Sequence, residues 1–542
     1  MFSDKAYTRL FRIFIRVSLC ALLASCSSLK APPYDDYIGP LRRPSVTPEK
    51  PFQGDVTPPK PTPEGPIEVT VEEAILLALE NNRSLRVERF NPSIRHTFED
   101  EERAVFDPIL TGGLSGSRER SELRSATTGI ITETRISSTA AELGISQFFP
   151  TGTEIGIDLS TERTWSNSYS DQHATRAGLT VTQALLRGIG LNTNLASLRQ
   201  ARLDTLSSQY ELRGFAESLI ALTEQTYWDY ALAQQQIEIV AVSLELAEQQ
   251  LRETQERVKI GRLAEIELAA VKAEIALRRV ALIDARNILA TTRLRLLRLL
   301  NVPGKDLWDR EIIIRDRPIV PDVILDEVES HVEVALLWRP DLNQARLGVK
   351  RGDLEIVKTK NGLLPVMDLF ITLGKTGYAD SFGSSVSDLD GNGYDLSGEL
   401  ILAYPLFNRD AKARHQRAML SRDQAMEAVD NLAQLIEVDV RTAYIEVGRT
   451  EEQVVATAAA RELQEEKVRA ETEKFRVGKS TGFLVAAAQR DLLNTQISEI
   501  QAVVAFLKAL VDLYRLDGSL LERLHISAPG RKSVALSVER KE

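Results

Sequence analysis

Two stretches lying 217 residues apart decide the fold: ERVKIGRLAEIELAAVKAEIA, residues 256–276, and EKFRVGKSTGFLVAAAQRDLL, residues 473–493. In each, helical sequence runs into one glycine, Gly261 or Gly478, and resumes a few residues later. Glycine ends helices because it tolerates left-handed backbone, so each stretch reads as the turn of a helical hairpin. Upstream of Gly261, with Asn192 or Thr193 as the expected N-cap, the chain reaches Val258 without a proline and with only Gly214 as a weak point. About 66 residues at 1.5 Å each make a rod of roughly 100 Å. Ile237, Leu244, Leu251 and Val258 recur every seven residues, as do Leu268, Ile275, Leu282, Leu289 and Leu296 after the turn. Near the C-terminus Ile497, Val504 and Val511 pair with Ile500, Leu507 and Tyr514. A seven-residue stripe is a seam between helices, which predicts antiparallel coiled-coil hairpins.

The rest of the chain is duplicated in the same order. Ala78, Leu79 and Leu85 correspond to Ala335, Leu336 and Leu342, and Pro108 to Pro365. Leu185 corresponds to Leu406, Tyr227 to Tyr444 and Gly261 to Gly478. Each half reads helix, strands, long helix, turn, helix.

The segments between the helices alternate with period two. Ile155, Ile157 and Leu159 alternate with Glu154, Gly156, Asp158 and Ser160, and Ala177, Leu179 and Val181 with Gly178, Thr180 and Thr182. Leu143 and Ile145 show the same pattern, and Leu369, Ile371 and Leu373 a weaker one. One apolar and one small, polar face suits a half-buried sheet and equally the wall of a transmembrane barrel; alternation alone leaves both open. The first half carries a surplus of 36 residues between Pro108 and Leu185. It includes two strand-like runs, 140–148 and 153–163, joined by the turn sequence FPTGT. Two outcomes stay open: a hairpin added to the sheet, giving six strands per chain, or a hairpin folded away from it.

The N-terminus reads as an export signal. Lys5, Arg9, Arg12 and Arg16 precede a short apolar run, Val17 to Leu23, and then Leu23-Ala24-Ser25-Cys26. That tetrapeptide resembles the bacterial lipobox, which implies that residues 1–25 are removed and that Cys26 carries lipid. Ser27 after it, in place of Asp, implies the outer membrane. Residues 27–66 hold eleven of the 21 prolines and read as an extended linker. After the first thirty residues no apolar run reaches the ~18 residues of a helical span. The net charge of −10 argues against nucleic acid.

Catalytic chemistry finds little support. Both cysteines, Cys20 and Cys26, lie in the first thirty residues, and His96, His173, His331, His415 and His525 stand at no ligand spacing. They are expected at the surface or at caps, and no metal or cofactor is expected. There is no Ser/His/Asp constellation and no phosphate-binding Gly-x-x-x-x-Gly-Lys-Ser/Thr loop. Lys272, Arg279, Arg286 and Arg293 recur every seven residues; they read as a solvated face paired with acids such as Glu245 and Glu248 rather than a basic lining.

Taken together, the duplicated strand, "QALL" and long-helix order and the two glycine turns resemble the TolC-like outer-membrane efflux family, across roughly residues 67–525. The resemblance implies an α+β membrane protein of duplicated helix–strand–helix halves. It implies a homotrimer whose shared transmembrane β-barrel continues into a long periplasmic α-helical coiled-coil barrel. Lipidated members are common. It implies a passive export duct, not an enzyme, in the outer membrane and extending into the periplasm. A periplasmic adaptor protein, working with an inner-membrane pump, would meet the tip formed by Lys259, Gly261, Arg262, Val477, Gly478 and Lys479. Glu265 and Glu267 would be gate-region acids. The expected divisions are 1–25 signal peptide, 26–66 lipidated N-terminus and linker, 67–304 first repeat, 305–327 connection, 328–525 second repeat and 526–542 tail.

The sequence also departs from the family's pattern. Leu484 and Ala487 stand where some members place a ring of acids, and Phe475 and Ser480 where a tyrosine and an arginine flank the glycine. A less cation-selective closed state is therefore expected. The competing function is a lipid-anchored periplasmic coiled-coil tether that moves nothing, whose alternating strands would be soluble sheet.

Overall fold

The computed structural model describes residues 65–536, apart from 125, 126, 128, 130, 168, 169, 262 and 305. The expected signal peptide, Cys26, nearly all of the expected linker and Arg262 lie outside the described residues.

The first repeat opens with a short strand β1 (Ile67–Val69) and helix α1 (Val71–Asn81). Thr70 starts this helix because its hydroxyl accepts the Glu73 N–H while the Glu73 carboxylate accepts the Thr70 N–H, a reciprocal cap. Asn82 both ends α1 and caps α2 (Arg83–Glu88), accepting from the Ser84 and Leu85 amides. Helix α3 (Phe90–Ala104) leads into four strands, β2 (Ile109–Arg124), β3 (Ile131–Phe149), β4 (Thr153–Ser166) and β5 (Gln172–Ala184). A single turn, α4 (Leu191–Asn194), then precedes the rod α5 (Ala196–Lys259) and its return helix α6 (Ile266–Leu300).

The second repeat follows a connection containing β6 (Ile312–Ile314). It comprises α7 (Val328–Trp338), α8 (Pro340–Asn361), β7 (Val366–Ala379), the short α9 (Phe382–Ser387), β8 (Tyr394–Ala403), the rod α10 (Arg409–Arg476), α11 (Gly482–Leu516) and α12 (Leu520–Arg523). The duplicated positions do equivalent work: Ala78 and Ala335 are buried, as are Leu85 and Leu342.

The rods are 64 and 68 residues long, close to 100 Å each, whereas the return helices have 35 residues. Each return helix therefore covers only part of its rod. The ascending helices α3 and α8 flank α5, and α8 also packs on α10. Among the described residues there are two large cores, the first of which includes the parallel pair β1 and β6. One packs Tyr227, Trp228, Leu296, Leu300 and Ile312; the other packs Val332, Leu342, Ile436, Val440 and Leu513 from the second repeat. Down the hairpin the seam thins to Ala247, Val271 and Ile275 with Leu244 and Leu251 beside them.

All six long strands form one antiparallel sheet in the order β2-β3-β4-β5-β7-β8. The surplus hairpin is thus part of the sheet, and its strands are longer than expected, 131–149 and 153–166.

Two expectations need correction. The rod does not start on Asn192 or Thr193; these lie inside α4, and α5 begins after Leu195 with no side-chain cap. The Asn194 amide is instead committed to the carbonyls of Pro150 and Gly188, which tie the hairpin turn to the helix entry. His331 is not a surface or cap residue. It lies on the buried face of α7 with Val332 and Ala335, its Nδ1 2.8 Å from Asp517 Oδ2. The tail, as far as residue 536, docks: Tyr210 donates to the Lys532 carbonyl, and the Val534 N–H donates to Asn343 Oδ1.

Candidate functional site

The register assigns every strand residue to a face. One face carries Leu114, Leu143, Ile145, Ile157, Leu159, Leu179, Leu373, Leu396 and Leu400, aligned across the sheet. On β7 the apolar run from Met367 to Leu373 extends about 20 Å at ~3.4 Å per residue. Most of these side chains are half-exposed or more, up to 88% for Leu114. Among the described residues no second sheet lies over this face, and the helical elements that pack on the sheet strands are the six-residue α9 and the single 3-10 turn Asp388–Asp390 after it, at one end. A soluble sandwich would bury such a band against another layer.

The opposite face is small and polar: Gly156, Ser160, Thr180, Thr182, Thr372 and Ser397. Among its described residues the acids are Glu119, Glu142, Glu154, Asp158, Glu162, Asp368, Asp395 and Glu399, against one base, Arg176. Arg176 lies across this face, its Nη1 3.0 Å from Asp158 and its Nη2 2.9 Å from Asp395. Gly178 and Gly374 make this possible, because a Cβ at either would run into the guanidinium and a carboxylate. One side chain on β5 thereby ties β4 to β8, joining the strands of the two repeats.

At the far end of the rods both hairpins turn on glycine in left-handed backbone, φ +73° at Gly261 and +79° at Gly478. Sequence reasoning placed Lys259, Gly261, Val477, Gly478 and Lys479 here, and all five are exposed. Glu265 is exposed beside them, and Glu267 is half-buried, reaching toward Gly482 at the start of α11. Gln489 donates to Gln250 across the hairpins, so the two turns form one tip. Ile260, Ile266, Val477 and Phe483 leave apolar surface uncovered around it. Glu471 accepts from Lys474 and Ser480, and these bonds hold its carboxyl below the usual range.

Several residues acquired roles that the sequence did not signal. Phe475 is buried beneath the Arg257 guanidinium, 4.6 Å from its ring centre. Arg278, 2% exposed, donates to the Ser243 carbonyl and hydroxyl and pins α6 to α5. Arg213 is buried between Glu217 and Glu522, and burial pushes the Glu217 carboxyl up to about 8 against the pull of Arg213. Only their places beside other helices distinguish them from surface arginines. The basic row is represented by Arg279, which pairs with Glu248 at 2.9 Å on the exposed side. Among the described residues no cluster of His, Asp and Glu could hold a metal ion, and no helix is long and apolar enough to cross a membrane.

Residues 332–519 match the family described as outer membrane efflux protein. A comparison with curated protein sequences gave no match. Solved structures share the fold over most of the chain. A membrane protein from Pseudomonas aeruginosa superposes with a TM-score of 0.63 at 17% identity, covering 84% of this chain and 91% of that one. The CmeC outer membrane channel of Campylobacter jejuni gives 0.61 at 16%, covering 83% and 86%. The open state of the MtrE outer membrane channel of Neisseria gonorrhoeae gives 0.59 at 18%, covering 83% and 89%. Residues 332–519 thus match the outer membrane efflux protein family, and the chain carries the TolC-like fold of outer-membrane channels across both of its repeats.

Proposed function

We propose that the protein is a passive export duct of the outer membrane, assembled as a homotrimer and docked at its helical tip by a periplasmic adaptor of an inner-membrane pump. The observation that carries this reading is the uncovered apolar face of the six-stranded sheet. Apolar surface of that height, backed by a polar face, suits a barrel wall with lipid outside and water inside. The strands β2 and β8 are the ends of the sheet, and open edges are not tolerated in lipid. Pairing β2 of one copy with β8 of the next removes them, and three copies give eighteen strands. The rods support the same arrangement: Val280 and Ile283 on α6 and Val438 and Ile445 on α10 are exposed apolar residues suited to a neighbouring copy.

In this reading the polar face lines the duct, and the fold needs no catalytic group. The energy comes from the pump. The tip residues Lys259, Gly261, Arg262, Val477, Gly478 and Lys479 form the adaptor contact, with the exposed Ile260, Ile266 and Phe483 adding apolar area. Glu265 and Glu267 sit at the gate. Lipid on Cys26 acts as a second tether, worth most before the barrel closes.

The test is reconstitution of the purified protein in planar bilayers together with a gel assay of the unheated sample. A heat-modifiable trimer with stepwise conductance is expected. A non-conducting protein that becomes soluble without detergent after Cys26→Ala would instead support the tether.

A further inference from the structure

The lipid-facing side of the sheet carries a second feature that the duct does not use. Beyond the apolar band, at the end of the sheet away from the helices, the same face turns basic. Arg118 and Arg120 on β2, Arg135 on β3 and Arg163 on β4 converge there with Trp165 around a groove of about 640 Å³. The neighbouring Glu119 belongs to the opposite face by register. Arg120 and Arg135 share Glu133, at 2.9 and 2.5 Å, and Arg163 pairs with Asp171. Arg118 makes no ion pair among the described residues. By register Glu122 and Arg124 lie on this same face one step further out, so five guanidinium groups stand against three carboxylates, and Arg120, Arg135 and Arg163 are each more than half exposed.

An apolar groove of about 500 Å³ continues directly from it along the same strands, lined by Leu114, Leu143, Leu159, Phe382 and Val386. On β3 the step from Thr139 to Ala141 passes from one groove to the other. The apolar groove exists because α9 folds back over β5 and β7. Ser385 bonds Thr175 at 2.7 Å, and Gly377 has no Cβ to strike the Ser385 carbonyl. Phe382 and Val386 therefore overhang the lipid-facing leucines.

We propose that these two grooves form one binding site for a phosphorylated, acylated glycolipid of the outer leaflet, with its phosphates among the arginines and an acyl chain against α9. The inference rests on the duct reading, which puts the helices in the periplasm and this end of the sheet in the outer leaflet. Polarity then matches without adjustment: β4 rises from Thr153 beside the helices to Ser166, so the basic end is the outer end. Arginine on the lipid face costs ~2–4 kcal/mol at mid-membrane but little at the headgroup level, and Trp165 is a residue type of that level. Guanidinium forks bind phosphate oxygens in pairs, and the excess of arginine over carboxylate makes an anion the complementary headgroup.

The experiment uses the full-length trimer in detergent. Bis-phosphorylated lipid A is the probe, lipid A stripped of its phosphates the control, and inorganic phosphate the competitor. Co-eluting lipid is measured after gel filtration, and conductance and heat-modifiability are recorded on the same samples. Wild type should retain lipid A about tenfold more tightly than the dephosphorylated form. The double variant Arg118→Gln/Arg163→Gln should lose that preference, and Phe382→Gln should weaken both lipids. Millimolar inorganic phosphate should not displace lipid A; full displacement would reduce the site to a simple anion site and overturn the proposal. So would equal retention of the two lipids, or wild-type retention by the double variant. If those failures occur in a conducting, heat-modifiable trimer, the duct reading stands and only the lipid site falls; a non-conducting monomer removes both.

Discussion

The guanidinium of Arg257, at the foot of the first rod, lies 4.6 Å from the centre of the Phe475 ring at the foot of the second. The sequence had excluded a Tyr–Arg pair here, because Phe475 and Ser480 replace its members. The structure supplies a different clamp from a residue four positions before Gly261. A cation–π contact is worth about 0.5–2 kcal/mol depending on exposure. Phe475→Ala or Arg257→Ala should therefore raise the open-to-closed ratio roughly 2- to 30-fold in single-channel recordings, while Phe475→Tyr should leave it near wild type.

The two glycine turns should separate docking from folding. A Cβ at Gly261 or Gly478 meets no atom within 4 Å, so substitution strains only the backbone. Left-handed backbone costs a non-glycine residue about 1–2 kcal/mol. Gly261→Val and Gly478→Val should leave trimer yield normal and reduce adaptor co-purification. Equal loss of trimer and adaptor would show that the turns serve folding instead.

The two sheet faces should respond oppositely to charge. Leu143→Arg, on the apolar face, should destabilise the reconstituted protein by about 2–4 kcal/mol. Thr372→Lys, on the polar face, should change conductance with stability almost unaltered. Urea unfolding in liposomes measures the first effect and bilayer recording the second.

Ion preference should arise in the sheet rather than at the tip. Leu484 and Ala487 leave the second turn without an acidic ring, whereas the polar face carries acids in large excess over Arg176. Weak divalent block of the closed state is expected, with a cation-favouring reversal potential in the open state. Glu154→Gln combined with Glu162→Gln should move that potential toward zero.

Glu217 gives the fold a pH dependence. Burial raises its carboxyl to about 8, above the unfolded value of 4.5. The protonated form is the one favoured in the folded chain, so its contribution is complete below about 4.5 and is lost as pH rises through about 8. Wild type should therefore melt at lower temperature at pH 9 than at pH 6. Glu217→Gln should flatten that difference while Arg213 keeps Glu522.

The elements most legible in the sequence were those with long periodic signals. A 64-residue rod without proline, a seven-residue seam and two glycine turns need no partner to be recognised. The strands were visible through alternation, although their outer ends were missed, because beyond Leu143 and Leu159 the apolar face turns from leucine to arginine and tryptophan and the period-two hydrophobic signal fades. His331 was misjudged because burial depends on which helix lies opposite, and Asp517 stands 186 residues away.

Local chemistry therefore determined the helices, the turns, the duplication and the two faces of each strand, since these follow from backbone preference and side-chain period within a few turns of chain. Only the tertiary structure decided that the surplus hairpin joins the sheet, that Arg176 ties the two repeats together, that Arg257 covers Phe475, and that four arginines from three strands converge. Those outcomes depend on register and packing between segments tens to hundreds of residues apart, where a shift of one residue would turn every strand side chain to the other face.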